Sequence, residues 1–183
     1  SEASAREKNI RHGHPSTLHI WWARRPLASS RTTTLAALLD DPGPHEPEER
    51  RELKDLIKEI APWEAVKNGN SEAIKRAQEL VEEQYDEPPK VIDPFAGGGS
   101  IPLEALRLGA ETYASDYNPV AVFIEKATLE WPQKFGVEVE LPEEEDDDGL
   151  GMGGKKVNLL AYLVEKWANK ILEEAREEIG QFY

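Results

Sequence analysis

The sequence predicts an α/β fold with a parallel sheet, and residues 90–130 carry that prediction. A short β-branched run at 90–93, which predicts a buried strand, leads into a glycine-rich turn that opens a helix at about 101–108. A second run of β-branched and aromatic residues, 112–116, is followed by another helical stretch that begins near Asn118. Short strands that alternate with helices in this order are typical of parallel sheets.

Composition and turn signals divide the 183 residues into five segments. Proline and glycine clusters near 42–44 and 88–89 mark two of the boundaries. The segments are a basic N-terminal arm and helix (1–42), an acidic helical insert (43–89), the βαβα unit (90–135), an acidic, glycine-rich linker (136–156) and an amphipathic C-terminal helix (157–183).

Local patterns predict further elements. Residues 1–13 are predicted to be a polar arm, and 16–39 a helix that Pro26 interrupts before a new helix begins. Apolar residues at three- and four-residue spacing predict two helices within the insert. Ser100 and Asn158 are each predicted to cap the helix that follows. The apolar stripe of the C-terminal helix is predicted to pack into a core.

Charge and composition limit the classes of function. The net charge is −14, yet residues 1–31 hold six Lys or Arg against two Glu, which predicts a basic edge on an acidic body. Alternatively, these arginines pair with carboxylates of the body. No cysteine is present, so a disulfide framework and a cysteine-bound zinc are excluded. No apolar run is long enough to span a membrane, and a cytoplasmic location is expected.

The glycine turn, Asp93-Pro94-Phe95-Ala96-Gly97-Gly98-Gly99-Ser100, predicts a ligand site. Pro102 stands where a dinucleotide fingerprint needs its third glycine, and no Gly-Lys-Ser/Thr follows, so neither phosphate-binding motif fits. Asp93 would repel a pyrophosphate but suits an ammonium group. Asp116, 23 residues later, has the spacing of a ribose-binding acid. The alternative is a purely structural turn with an incidental Asp.

This turn resembles the cofactor motif of DNA methyltransferases that methylate amino groups. Residues 14–28, which contain Trp21-Trp22-Ala23-Arg24-Arg25-Pro26, resemble the N-terminus of adenine-specific DNA methylases that carry a zinc ribbon, a region of uncertain function in that family. Residues 116–121 fit the same family. The resemblance covers 9–42 and 90–135.

The resemblance implies a three-layer, Rossmann-like methyltransferase fold, incomplete in this chain, that binds S-adenosyl-L-methionine. The cofactor-binding residues that it implies are Asp93, Pro94, Phe95, Ala96, Gly97, Gly99, Asp116, Tyr117, Asn118, Trp22, Arg24 and Pro26. Arg24, Arg25 and Arg31 are the candidates for contacts with nucleic acid. Within this picture Asp93 holds the methionine end and Asp116 the ribose.

Two features of that family are missing from the sequence. The catalytic Asp/Asn/Ser-Pro-Pro-aromatic motif is absent, because the one Pro-Pro pair, Pro88-Pro89, precedes the first strand and lacks the aromatic residue. Cysteines for a zinc ribbon are absent as well, and His12, His14 and His19 are better explained as solvated or capping groups than as metal ligands. No catalytic residue and no metal site are therefore assigned.

The sequence thus predicts the cofactor-binding portion of a DNA adenine-N6 methyltransferase, inactive by itself. Its expected partners are DNA, reached through the full-length protein, and the missing C-terminal catalytic portion or subunit, with no membrane partner. The alternatives are a fragment of an RNA methyltransferase and a non-catalytic, methyltransferase-like assembly module. A nicotinamide-dependent dehydrogenase is disfavoured by Pro102 and Asp93.

Overall fold

The computed structural model describes residues 2–10, 13–67, 69, 71–141 and 156–182. They belong to two compact units, residues 1–129 and 130–183. The first unit contains helices α1 (Glu2–Glu7), α2 (Leu27–Leu38), α3 (Pro47–Ile60), α4 (Glu64–Lys67), α5 (Glu72–Gln84), α6 (Ser100–Arg107) and α7 (Pro119–Glu125), and strands β1 (Lys90–Asp93) and β2 (Glu111–Ala114). The α/β class predicted from the sequence is confirmed.

Strands β1 and β2 pair in parallel, with Asp93 opposite Ala114. Helix α6 connects them and packs against both strands and against α2. Because parallel neighbours end at the same edge of a sheet, the residues that follow β1 and β2 meet at one place. That edge is where the glycine turn begins.

The core of the first unit lies between its helices and one face of this sheet. Helix α2 packs on α3 and α6, and α3 packs on α5, so the two helices predicted within the insert are present and packed together. The fully buried members of this core are Leu35, Ile60, Ala77, Ala105 and Leu108. Val91 of β1 packs against the same cluster.

The opposite face of the sheet is open to solvent among the described residues. Ile92 is 71% exposed, and its pairing partner Tyr113 is 48% exposed. The prediction of a buried first strand was therefore wrong for this face. Parallel strands are normally covered on both faces, because their connecting helices pack on each side. Here α6 and the insert cover one side only.

The N-terminal region differs from its prediction. Part of the polar arm is the helix α1. A short 3-10 turn covers Pro15–Thr17, and residues 18–26, which were predicted to be helical, form no helix. Helix α2 does begin directly after Pro26, as predicted. The Glu7 carboxylate accepts hydrogen bonds from Leu27 N (2.8 Å) and Ala28 N (3.0 Å), so it supplies the cap that Pro26 lacks.

Of the two predicted helix caps, Asn158 is confirmed and Ser100 is displaced, and Asn118, where a helix is predicted to begin, also acts as a cap. Asn118 Oδ1 accepts from Val120 N at 2.9 Å, and Asn158 Oδ1 accepts from Ala161 N at 3.2 Å. For α6 the capping residue is Gly99, with φ +71°, and not Ser100. Ser100 already lies in the first turn of the helix. Helix α7 continues through a π-helical turn, Lys126–Glu130.

The second unit contains α8 (Trp131–Phe135), strands β3 (Glu138–Glu140) and β4 (Lys156–Asn158), and α9 (Leu159–Ile179). The segment predicted as a linker, 136–156, thus begins and ends in two strands that pair antiparallel. Its acidic run, 143–148, lies outside the described residues. Trp167 is 55% exposed, so the prediction that the α9 stripe packs into a core was wrong. Within the described part of the chain, no helix combines the length and apolarity that crossing a bilayer requires.

Candidate functional site

The glycine turn is a tight backbone loop tied to the end of β2. Ser115 N donates to Asp93 O and Ala96 N donates to Ser115 O, each at 3.0 Å, so the pairing of the two strands continues into the turn. Gly97 and Gly99 have φ values of +54° and +71°, a left-handed conformation that residues with a Cβ rarely adopt. The glycines are therefore needed for the shape of the turn.

Two acidic side chains fix this turn from neighbouring strand ends. Asp116 Oδ2 accepts from Gly97 N at 2.9 Å, and its Oδ1 accepts from Asn118 N at 2.8 Å. Asp93 Oδ1 accepts from Phe95 N at 3.1 Å. A carboxylate oxygen has more than one acceptor position, so both groups keep acceptor capacity for a ligand.

The irregular segment before α2 lies directly over the glycines. A Cβ placed on Gly97 would lie 2.8 Å from Trp21 Nε1, and one on Gly98 would lie 3.0 Å from Arg24 Cζ. Such close approaches are possible only because these positions lack a side chain. The two stretches that resemble the methylase family lie about 75 residues apart in the sequence and meet in the fold.

A cavity of about 360 Å³ lies at this meeting point. Its walls come from the N-terminal segment, the glycine turn, the first turn of α6 and the ends of both strands. They are formed by Trp21, Ala23, Arg24, Arg25, Asp93, Phe95, Ala96, Gly97, Gly98, Ser100, Ile101 and Asp116. The volume is within the usual range of small-molecule sites, about 300–1,000 Å³.

Arg24 and Ser100 bring unused hydrogen-bonding groups to this cavity. The three guanidinium nitrogens of Arg24 are buried and have no hydrogen-bond partner among the described residues. Burial lowers the pKa of this guanidinium. Ser100 Oγ is likewise buried without a described partner. Native proteins satisfy most buried polar groups, so these atoms indicate a place where a polar ligand completes the bonding.

Glu125 adds a third carboxyl group behind the turn. Its Cγ would lie 3.7 Å from a Cβ on Gly99. Burial, together with the charges of Asp116 and Asp93, raises the pKa of Glu125 to about 7. Three carboxyl groups thus lie around the turn, an arrangement that favours a cationic ligand group and opposes a diphosphate.

The structure places six of the predicted cofactor residues on the walls of this cavity and the others away from them. On the walls are Asp93, Phe95, Ala96, Gly97, Asp116 and Arg24. Trp22 is 79% exposed and Tyr117 is fully exposed. Asn118 caps α7, and Pro94, Gly99 and Pro26 do not line the cavity.

Arg31 is not available to nucleic acid, contrary to its prediction. Its side chain is 1% exposed, and Nη1 donates to Glu104 Oε2 at 2.8 Å. Its remaining nitrogens donate to the carbonyls of Ile60, Ala61 and Pro62 at the end of α3. Arg31 therefore joins α2, α3 and α6 in the core, whereas Arg25 is exposed.

Sequence reasoning missed several residues of the site. Trp21, and not its neighbour Trp22, covers the turn, and nothing in two adjacent tryptophans tells which one faces inward. Ser100 and Gly98 lie within the glycine turn and could have been included among the predicted site residues for that reason. Glu125 is one helix further along the chain and carries no motif signal. Among the described residues no group of three acidic or histidine side chains is arranged to hold a metal ion, and His12 lies outside them.

Comparison with known proteins gives one finding about the N-terminal region. A family model described as "Protein of unknown function (DUF1156)" matches residues 1–66. This stretch contains Trp21 and Arg24 together with α2 and α3, so it supplies one wall of the cavity. No curated protein and no solved structure matches the chain.

Proposed function

We propose that this chain is the S-adenosylmethionine-binding part of an adenine-specific DNA methyltransferase. One observation carries the proposal: two carboxylates from adjacent strand ends and a buried guanidinium without a described partner line the same cavity beside a glycine turn. The cofactor has an ammonium group, a carboxylate, a sulfonium and a ribose diol. Those groups match the charges and acceptors on the cavity wall.

The residues present fit this cofactor, and each has a distinct role. Asp93 accepts from the ammonium group, and Arg24 donates to the carboxylate of the methionine end. Asp116 uses its remaining acceptor positions for the ribose hydroxyls. Trp21 and the glycine backbone close the cavity on the side of the turn. When bound, the cofactor supplies an electrophilic methyl group, and these side chains hold and orient it.

The same arrangement argues against a dinucleotide. Asp93 and Asp116 line the cavity, and Glu125 lies close behind it. A pyrophosphate placed on this turn would face these carboxyl groups, with only Arg24 and Arg25 among the cavity-lining residues as cations. A sulfonium nucleoside has the opposite charge at this position and is favoured.

Methyl transfer needs groups that this sequence does not contain. The Pro-Pro-aromatic motif that positions a target amine in the family is absent. The open face of the sheet at Ile92 and Tyr113 supports an incomplete fold that further strands and helices complete. We therefore expect a separate catalytic portion, and no turnover by this chain alone.

Calorimetric titration with S-adenosylhomocysteine tests the binding part of the proposal. Wild-type chain should show saturable binding, which Asp116→Ala should weaken at least about tenfold, because a charge-assisted hydrogen bond is worth about 1.5–3 kcal/mol. Asp40→Ala is the matched control, because Asp40 is exposed and does not line the cavity. Circular dichroism of both variants checks that they remain folded. An absence of saturable binding to wild type, or equal binding of NAD⁺, would contradict the proposal.

Transfer of a radiolabelled methyl group to DNA tests the second part. The isolated chain should give no product above background at saturating cofactor. Turnover by the chain alone would show that the catalytic groups are present here, and would refute the need for a separate portion.

A further inference from the structure

The N-terminal region encloses a second cavity, which the cofactor proposal does not use. It has a volume of about 450 Å³ and is formed by residues between Ser4 and Pro26. It shares Trp21, Arg24 and Arg25 with the first cavity, and these side chains separate the two spaces. The matched family model spans this region and assigns it no function.

The negative charge of this second cavity is already engaged. Among its described lining residues the acidic one is Glu7, whose oxygens accept from Leu27 N and Ala28 N. His14 Nε2 lies 3.0 Å from Glu7 Oε1, while Nδ1 accepts from Ser16 N, which places the ring proton on Nε2. Burial lowers the pKa of His14, while the neighbouring Glu7 carboxylate opposes this shift. Glu7 and His14 therefore hold the fold together and leave little acceptor capacity.

In contrast to Glu7, the cations that line this cavity have no ion-pair partner among the described residues. Lys8 and Arg25 are exposed and form no ion pair with another described residue. The guanidinium of Arg24 is buried between the two cavities without a described partner. Lys8 and Arg25, to which the cofactor proposal gives no role, line this cavity with one engaged carboxylate, and this balance makes the second cavity a site for an anion. This is notable in a chain of net charge −14, because the body repels polyanions elsewhere.

An aromatic surface lies at the same place. Trp21 lines the cavity, and Trp22 stacks on it with ring centroids 4.4 Å apart and planes inclined by 24°. Trp22 remains 79% exposed, and the neighbouring Ile20 is 87% exposed. An exposed tryptophan stack beside free cations is the arrangement that binds unpaired nucleotides, in which bases stack and phosphates pair.

We propose that the N-terminal cavity and the Trp21–Trp22 stack bind a nucleotide, with the phosphate on Lys8 and Arg25 and the base on the exposed face of Trp22. This deepens the proposed function, because it locates where a strand of the nucleic-acid substrate contacts the chain. It also reassigns Trp22, which lies outside the cofactor cavity. The binding chemistry is the same for a free nucleotide and for a nucleotide within a strand.

Fluorescence anisotropy of a labelled single-stranded oligodeoxynucleotide, without cofactor, tests the proposal. Trp22→Ala should weaken binding by at least about fivefold, and Trp22→Phe should restore most of it, because stacking on one ring is worth about 1–3 kcal/mol. Trp167→Ala is the matched control, since Trp167 is also an exposed tryptophan but lies on α9. Equal losses in both alanine variants would overturn the proposal.

The phosphate contact has its own test. Lys8→Ala should weaken binding and reduce the slope of log affinity against log salt by about 0.7. Lys54→Ala, on α3, makes the same charge change away from the cavity and should do neither. If the two lysine variants behaved alike, the assignment of the phosphate to this cavity would be wrong.

Competition with free adenosine monophosphate separates the two sources of the nucleotide. Full displacement assigns the site to mononucleotides, whereas binding of the oligonucleotide alone assigns it to a strand. If wild type bound neither probe saturably, the proposal would fail. Calorimetry of Trp22→Ala with S-adenosylhomocysteine should match wild type, so that failure of the nucleotide site and failure of the cofactor site are distinguishable.

Discussion

Replacing Glu125 with glutamine should stabilise the protein above neutral pH. Glu125 is 6% exposed, and Oε1 has no hydrogen-bond partner among the described residues. Burial and the charges of Asp116 and Asp93 raise its pKa from 4.5 to about 7. The native state therefore holds this proton more tightly than the unfolded chain, and stability is lost as pH rises between these two values.

The rise in pKa sets the size of the effect. Taken in full, a change from 4.5 to about 7 corresponds to about 3 kcal/mol. Asp93 and Asp116 line an open cavity, where water screens their repulsion of Glu125. We therefore expect an effect on the free energy of unfolding of about 1–2 kcal/mol. At pH 8 Glu125→Gln should thus melt roughly 3–6 °C above wild type. Near pH 4 the two proteins should melt together, because the carboxyl group is then protonated.

Thermal melts followed by circular dichroism across this pH range measure the effect. Glu59→Gln, an exposed glutamate on α3, is the matched control and should leave the melting temperature unchanged at both ends. An equal melting temperature for wild type and Glu125→Gln at pH 8 would show that Glu125 is not held in an acidic, desolvated place. A shift of the same size at pH 4 would show that the substitution acts through packing and not through charge.

Two further predictions concern the core and the turn. Arg31→Met leaves buried Glu104 with Arg107 alone as its partner and removes the donor to three carbonyls at the end of α3. It should lower the free energy of unfolding by about 3–5 kcal/mol in urea denaturation, and adding Glu104→Leu should recover part of the loss. Gly97→Ala combines a left-handed φ with a contact at 2.8 Å to Trp21 and should cost about 2–3 kcal/mol and abolish cofactor binding. Gly109→Ala, with φ +88° and no atom within 4 Å, should cost only about 1 kcal/mol, so equal effects of the two glycine substitutions would refute the packing of Trp21 on the turn.

Several features of the fold could be predicted because they depend on short-range physics. Pro26, Asn118 and Asn158 each act on the helix that directly follows them, and the structure confirms all three. The two strands and the helix between them follow from β-branched runs and a glycine turn within a stretch of about 25 residues. Gly109, which follows α6 with φ +88°, obeys a similarly local rule, because a left-handed residue just past the end of a helix favours glycine.

The errors concern partners that are distant in sequence. Arg31 has the same local appearance as Arg24 and Arg25, but a carboxylate on α6 and three carbonyls at the end of α3 turn it into a core residue. The burial of β1 was expected from its apolar residues, yet Ile92 faces a side of the sheet that no described element covers. Neither outcome can be derived from neighbouring residues alone.

The sequence by itself determined the α/β class, the turn at Gly97 and the two acids that flank it, because glycine conformation and strand order act over a few residues. Only the tertiary structure decided that Trp21 and Arg24, about 75 residues earlier in the chain, lie on that turn and close a cavity around it. Contacts of this kind depend on how helices pack, which is a property of the whole unit. Packing also selects which of two adjacent tryptophans faces the cavity at the glycine turn and which stays exposed.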